Sequence, residues 1–399
     1  MAIRPLLIVW ILLITWTADV LAISGIGELY SLIGQKDSLL VANPEDRIII
    51  SKNERKKLVP ASILKLFTAL NSLHYLGSDF RFQTEFYIDN AANLIIKGFG
   101  DPLLISEIID DISRTLAKIK GSPGIYNDLI VDDSYFNEPL TIPGVSTSSQ
   151  PYDAPNGAMC ANFNTVFFKS TKSGYISAEP QTPLLPYAIR KIGARKLKSG
   201  RIVLSHAKKE NTIYAGKLFQ YFLMQQGVAF KGTVKMGRVA KGSNKLIYKY
   251  FCRFSLEQII SRLLEYSNNF ITNQLLITAG ARALGPPGNL HKGVKAALQY
   301  AGNVLQIDDM KIVEGSGISR KNRISARHMQ RILEKFEPYY LLMPTEGREY
   351  YKTGTLSGIS TRAGYIDAGN GRRYRYVIMI NTPGKSTKPI VRRLLQILD

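Results

Sequence analysis

Ser62-Ile63-Leu64-Lys65 sets a hydroxyl and an amine three positions apart, one helical turn, so both side chains share a face. A serine hydroxyl alone is a poor nucleophile. A neighbouring base and hydrogen-bond donors aimed at the developing oxyanion make it a good one. Ser62 is therefore the candidate nucleophile and Lys65 the candidate base. In the first turn of a helix the Ser62 N–H lacks an intrahelical partner and can donate to an oxyanion. Two later strings supply what such a site still needs. In Ser267-Asn268-Asn269 the Ser267 hydroxyl can carry a proton to a leaving group, and the Asn269 amide can orient a substrate peptide bond. In Lys352-Thr353-Gly354-Thr355 the Lys352 cation and the Thr353 and Thr355 hydroxyls can bind a carboxylate. The Thr355 N–H is the candidate second oxyanion donor. Lys65 must be neutral to act as a base, which burial and a nearby cation promote, and Lys352 is the candidate cation.

Each reading has a plainer competitor. Most helical lysines are exposed, Ser and Asn ahead of an apolar helix are ordinary N-caps, and a Lys-Thr strand can be a solvated edge. Decoys also occur in the chain: Ser205-His206-Ala207-Lys208, Ser51-Lys52-Asn53, Lys172-Ser173-Gly174 and Lys198-Ser199-Gly200. Context separates them. Ser62 follows Pro60 and opens the helical pattern Ile63, Leu64, Leu66, Phe67, Ala69, Leu70, Leu73, closed by Gly77. Ser205 ends an apolar run and enters a polar stretch that reads as a turn.

The elements that must hold these residues follow from periodicity. Alternation over 82–88 and 94–96 around Asp89-Asn90-Ala91-Ala92-Asn93 predicts a hairpin, and a helix over 105–119 and a strand over 129–131 come next. Strand-rich sequence then runs to about Val239, broken by a helix near 216–226. Ser267 to Asn269 lie between two helical patterns, one on Leu256, Ile259, Ile260, Leu263 and Leu264, the other on Ile271, Leu275 and Leu276. Lys352 leads a strand over 352–356, followed by strands over 362–367 and 374–380 with Asn370-Gly371 as a hairpin turn, and a final helix over 389–398.

Composition bounds the setting. Residues 5–15 are apolar behind a lone Arg4, and Val20-Leu21-Ala22 fits a cleavage site, so residues 1–22 read as an export signal too short in its apolar run to span a membrane. The rest is too long for one ordinary core. Net charge is +21, but the basic residues are scattered and not interleaved with aromatics, which argues against nucleic acid and leaves anionic wall polymers or acidic lipid head groups as peripheral contacts. Cys160 and Cys252 read as two separate buried thiols. His74, His206, His291 and His328 lack metal-ligand spacing, so zinc peptidase chemistry is disfavoured and no metal or cofactor is expected.

The three motifs occur together in penicillin-binding proteins and class A β-lactamases. Further blocks extend the likeness: Gly100-Asp101-Pro102, Val131-Asp132-Asp133-Ser134-Tyr135-Phe136, Pro151-Tyr152-Asp153-Ala154-Pro155, Asn162-Phe163-Asn164, Gly315-Ser316-Gly317-Ile318-Ser319-Arg320, and 352–365. In this order they resemble the D-alanyl-D-alanine carboxypeptidase/endopeptidase family of class C low-molecular-mass penicillin-binding proteins. The resemblance implies an α+β multidomain chain. A penicillin-recognising serine peptidase (β-lactamase-like) domain, with an antiparallel sheet between helices, is interrupted by strand-rich inserted material. The expected layout is a signal peptide over 1–22, the catalytic domain over 23–80 and 250–399, and the insertion over 81–249. The implied substrates are peptidoglycan stem peptides, cleaved through a Ser62 acyl-enzyme that β-lactams also form. Asn268 and Glu314 stand where the family commonly has aspartate, and the segment between Asn164 and Gly216 looks shorter than in long members. The competing readings are a non-catalytic wall-binding protein and a β-lactamase; for the latter no placed equivalent of a deacylating glutamate is evident.

Overall fold

The computed structural model describes residues 26–119, 124–240, 242–369 and 371–398. The export-signal reading and Asn370 of the expected hairpin turn fall outside these. Among the described residues the chain divides into two compact bodies: one of 26–67 with 305–312 and 320–398, the other of 68–304 with 313–319.

The first body is built on a six-stranded sheet, antiparallel throughout, in the order Thr345–Glu346, Glu349–Leu356, Ile359–Asp367, Arg373–Ile380, Asp37–Ala42, Ile48–Lys52. The two strands nearest the N-terminus, unforeseen from the sequence, complete a sheet whose other strands lie some three hundred residues on, with Asp37 opposite Ile380. Helices cover both faces. Ile390, Val391 and Leu394 of the helix Lys388–Ile397 pack with Leu39, Val41, Tyr376 and Ile378, so this helix is a packing element with Arg392 on its exposed side. On the other face Tyr365 donates to the Leu333 carbonyl of the helix Ala326–Phe336 at 2.6 Å. The expected antiparallel sheet between helices is present.

The second body holds a five-stranded mixed sheet, Val234–Met236, Leu129–Asp132, Leu94–Gly98, Gln83–Ile88, Lys245–Phe251, parallel across its first three strands. The helices Ser106–Lys118 and Lys208–Gln225 bury Ile108, Ile112, Leu218 and Phe219 in the same core as Phe86, Ile96 and Val131. The hairpin forms as expected, Ile88 pairing with Leu94 and the Asp89 carboxylate accepting from the Ala91 and Asn93 N–H groups. A three-stranded sheet of Gly174–Ser177, Thr165–Thr171 and Ser199–Val203 follows. The helix Lys208–Gln225 starts earlier than its apolar pattern suggests, because tertiary bonds satisfy its polar first turns: Asn211 donates to the Ser205 carbonyl and Thr212 to Asp133. The polar stretch after Ser205 is thus largely helix, not turn. Ser205 and Lys208 are nonetheless committed elsewhere, the hydroxyl to Glu210 and the ammonium to the Phe136 carbonyl and Asp133.

The helices Asn269–Leu284 and Leu290–Asn303 cross so closely that a Cβ on Gly280 would sit 2.3 Å from the Gly293 nitrogen. Cys160 and Cys252 are buried and not bonded to each other, and burial pushes each thiol up to about 12. Asp101 is sealed beside Cys252, accepting from the Leu103 N–H at 2.8 Å, and burial raises its carboxyl to about 6 from 3.8. Between those values the folded chain keeps a proton the unfolded chain has lost, so stability falls as pH rises from about 4 to about 6. The loss amounts to about 3 kcal/mol for a shift of this size. Urea midpoints across that window are expected to fall less for Asp101→Asn than for the unaltered chain. Parallel curves would show that Asp101 does not carry the dependence.

Candidate active site

Ser62 sits in a short 3₁₀ turn, Ala61–Ile63, that runs directly into the helix Leu64–Leu76. Proline at 60 precedes the turn as read from the sequence. The backbone of Ala61, however, lies in the left-handed region at φ 49°, fully buried, a conformation costing an alanine about 1–2 kcal/mol. Strain of this kind survives only where the surroundings over-determine it. Lys65 donates from Nζ to Ser62 Oγ at 2.9 Å with 0 % of its surface exposed. The exposed-lysine alternative does not hold for this residue.

Strand Glu349–Leu356 passes against this turn. A Cβ on Gly354 would lie 2.6 Å from the Ser62 nitrogen and 2.4 Å from Thr361 Oγ1, so only glycine admits the approach. Thr361, paired with Gly354 across the sheet, ties the two together by donating to the Pro60 carbonyl at 2.7 Å. Arg362, opposite Thr353, forks onto Glu349 and stacks 3.6 Å over the Tyr351 ring, which fixes the strand's register. Alternation buries Lys352 and Gly354 and exposes Thr353 and Thr355. The Lys352 ammonium nevertheless reaches the strand's own edge, donating to the Thr353 carbonyl at 2.9 Å. With 3 % exposure, burial lowers it to about 8.

Ser267 and Asn269 belong to the other body. Ser267 ends the helix Leu256–Tyr266 in the left-handed region at φ 51°, its N–H donating to the Leu263 carbonyl. Asn268 is the N-cap of Asn269–Leu284, its side chain accepting from the Ile271 N–H at 3.0 Å. Capping is therefore the middle residue's task and leaves Ser267 and Asn269 to either side for other work. Asparagine and aspartate cap equally well, so the departure at 268 preserves its function. Asn269 Nδ2 donates to the Tyr152 carbonyl at 3.4 Å.

One organising residue went unrecognised in the sequence. Glu314 is fully buried and accepts from the N–H groups of Ser316, Gly317 and Ser319 and the Ser316 hydroxyl, while Asn273 bonds both Glu314 and the Gly315 N–H. Thr68 closes the loop by donating to the Gly315 carbonyl at 2.7 Å. The sequence signals of Glu314 were its place where the family commonly has aspartate and the Gly-Ser-Gly that follows, and neither says that this anion folds the loop.

The architecture matches penicillin-recognising serine peptidases. Penicillin binding protein 4 (dacB) from Haemophilus influenzae superposes with a TM-score of 0.75 at 19% identity, over 93% of this chain and 98% of that one. A predatory peptidoglycan endopeptidase from Bdellovibrio bacteriovorus gives 0.56 at 16% identity, over 90% and 92%. Among curated proteins, the D-alanyl-D-alanine carboxypeptidase of Actinomadura sp. (strain R39) is 23% identical over 81% of this chain and 73% of its own length. Residues 32–200 and 194–339 match the D-Ala-D-Ala carboxypeptidase 3 (S13) family, and the chain belongs to it. It is a hydrolase, a serine-type DD-peptidase of the carboxypeptidase/endopeptidase kind.

Proposed function

We propose that the chain cleaves peptidoglycan stem peptides through an acyl-enzyme on Ser62. The observation that carries this is the 2.9 Å bond between Ser62 Oγ and a fully buried Lys65 amine, at a helix start closed off by Gly354. Neutral Lys65 takes the Ser62 proton as Oγ attacks the carbonyl of the penultimate D-alanine. The N–H groups of Ser62 and Thr355 hold the oxyanion. Ser267 carries the proton taken up by Lys65 on to the departing amine, which leaves as free D-alanine or as a cross-linked peptide and returns Lys65 to its neutral form, and Asn269 orients the peptide bond. Water, activated by Lys65, then attacks the ester and releases the shortened stem. Lys352, Thr353, Gly354 and Thr355 bind the terminal carboxylate. Penicillins acylate the same serine.

The 81–249 segment is proposed as insertion into a peptidase domain made of 23–80 and 250–399. The five-stranded and three-stranded sheets both fall within 83–251, whereas the six-stranded sheet draws strands from either side. Export to the periplasm or cell envelope, with peripheral contact to anionic wall or lipid, is supported by the net charge of +21 and by the family's substrate. Among the described residues no helix is long and apolar enough to cross a membrane.

Labelled penicillin followed by mass spectrometry tests the central claim. A long-lived adduct is expected on Ser62 and none on Ser62→Ala. A folded protein without adduct would favour a non-catalytic wall-binding role, and rapid release of penicilloic acid would favour a β-lactamase. The Lys352 value of about 8 adds a pH signature. Its charge is full well below pH 8 and lost above, so KM for a peptide with a free terminal carboxylate is expected to rise several-fold between pH 7 and 9.5. In Lys352→Arg, where the cation persists, KM should stay flat whatever its absolute level. A rise of equal size in both proteins would remove Lys352 from carboxylate binding.

A further inference from the structure

The helix Asn269–Leu284 buries Ile271, Leu275, Leu276 and Ile277, and among them sits an amide, Gln274, with 0 % of its surface exposed. Gln274 Nε2 donates to the Gly100 carbonyl at 3.0 Å and to the Gly157 carbonyl at 2.9 Å. Its Oε1 accepts from Asn156 Nδ2 at 3.0 Å and from the Gly157 N–H at 3.3 Å. Both donors and both lone pairs of the amide are spent. A leucine or methionine would fill such a place without burying any polar group. What the amide adds is direction, because a fully satisfied buried network admits one arrangement of the groups it joins.

Those groups lie on segments of the same body. Gly100 follows the middle strand of the five-stranded sheet, Leu94–Gly98, and its N–H donates to the Ala158 carbonyl at 2.8 Å. A Cβ on Gly98 would lie 2.4 Å from that same oxygen, so strand end and loop meet backbone to backbone. Asn156 also donates to the Phe270 carbonyl at 2.9 Å, in the first turn of the helix, and the Pro155 carbonyl accepts from Asn164 at 2.8 Å. The loop over 155–158 is thus fixed between the sheet and the helix that begins at Asn269. Just ahead of it comes the turn Pro151–Asp153. The Asp153 carboxylate holds this turn from its other side, accepting from the Ser146 N–H at 3.0 Å and from the Ser146 and Ser148 hydroxyls at 2.5 Å. The Tyr152 carbonyl of the turn is the acceptor for Asn269 Nδ2. At 3.4 Å that bond is close to the limit for a hydrogen bond, so a small outward shift of the turn removes it.

Resting on the proposed function, we infer that Gln274 is a positioning residue for peptide cleavage: through Asn156 and Gly157 it sets the place of the Tyr152 carbonyl, and so the direction of the Asn269 amide that orients the substrate's peptide bond. A double-mutant cycle on the full chain, with a peptide ending in D-Ala-D-Ala, tests this. Gln274→Met keeps the unbranched stem and removes all four bonds. It is expected to lose about tenfold in kcat with KM changed less than about twofold, since a misdirected orienting group slows the reacting complex more than it weakens binding. Asn269→Ala should lose more. The pair Asn269→Ala/Gln274→Met should be no slower than Asn269→Ala alone, because Gln274 then has nothing left to direct. Asn156→Ala leaves Gln274 bonded to Gly100 and Gly157 and serves if the methionine variant does not fold; it should lose about threefold in kcat, again with no further loss when Asn269→Ala is added. Losses that multiply in the double variant, or an unchanged kcat in the folded single variant, would overturn the inference and leave Gln274 a packing residue. If Asn269→Ala alone keeps the unaltered rate while penicillin still forms its adduct on Ser62, this inference falls and the acyl-enzyme stands. Absence of that adduct in the unaltered chain removes both.

Discussion

Lys65→Met is expected to fold as the unaltered chain does and to be acylated by penicillin at least about a thousandfold more slowly. Methionine keeps the unbranched stem that fills a site with 0 % exposure, so the core loses little volume and thermal unfolding should shift by no more than a few degrees. What disappears is the nitrogen 2.9 Å from Ser62 Oγ, the proposed acceptor for the serine's proton. Lys65→Arg refines the point. A guanidinium keeps the charge and can still donate to Ser62, but it does not give up its proton in a protein. If the lysine works as a base, the arginine variant is as slow as the methionine one. If it only supplies positive charge, the arginine variant recovers much of the rate. Acylation of Lys65→Met within tenfold of the unaltered rate would remove the lysine from the chemistry.

The sequence made the chemistry more legible than the scaffold, for physical reasons visible at single residues. Helix Leu64–Leu76 announced itself through proline at its approach and apolar periodicity, and strand Glu349–Leu356 through alternation beside a hairpin. Asp37–Ala42 carried no such mark. All six residues are buried, so the strand has no polar face to alternate with, and its partner Arg373–Ile380 is distant in the chain. The left-handed Ala61 was equally silent, because alanine has no preference for that region and only the packing of Gly354 and Thr361 holds it there. Glu314 looked like a departure from the family pattern. Its role depends on a loop closing around one carboxylate, with Asn273 and Thr68 arriving from distant positions, and no local pattern encodes that. Asn268 was legible as a cap from its type alone.

Gly354→Ala is expected to reduce acylation by more than about a hundredfold while costing only about 1–3 kcal/mol of stability. The added methyl would meet Thr361 Oγ1 at 2.4 Å, the Ser62 nitrogen at 2.6 Å and Ala61 Cβ at 3.0 Å. Relief requires the strand and the Ser62 turn to separate. That movement works against the Thr361 bond to the Pro60 carbonyl, which anchors the strained approach to Ser62. Stability falls by an ordinary overpacking amount because each group can give a little. The rate falls further, because displacing a nucleophile by about an ångström is itself worth about two orders of magnitude. Two comparisons separate these effects. Gly369→Ala makes the same chemical change where nothing lies within 4 Å, and both stability and acylation should be nearly unchanged. Adding Thr361→Ala to Gly354→Ala removes the shortest clash but not the one with the Ser62 nitrogen, so it should return part of the stability and little of the rate. Recovery of both together would mean that the strand's packing, rather than its approach to Ser62, sets the rate.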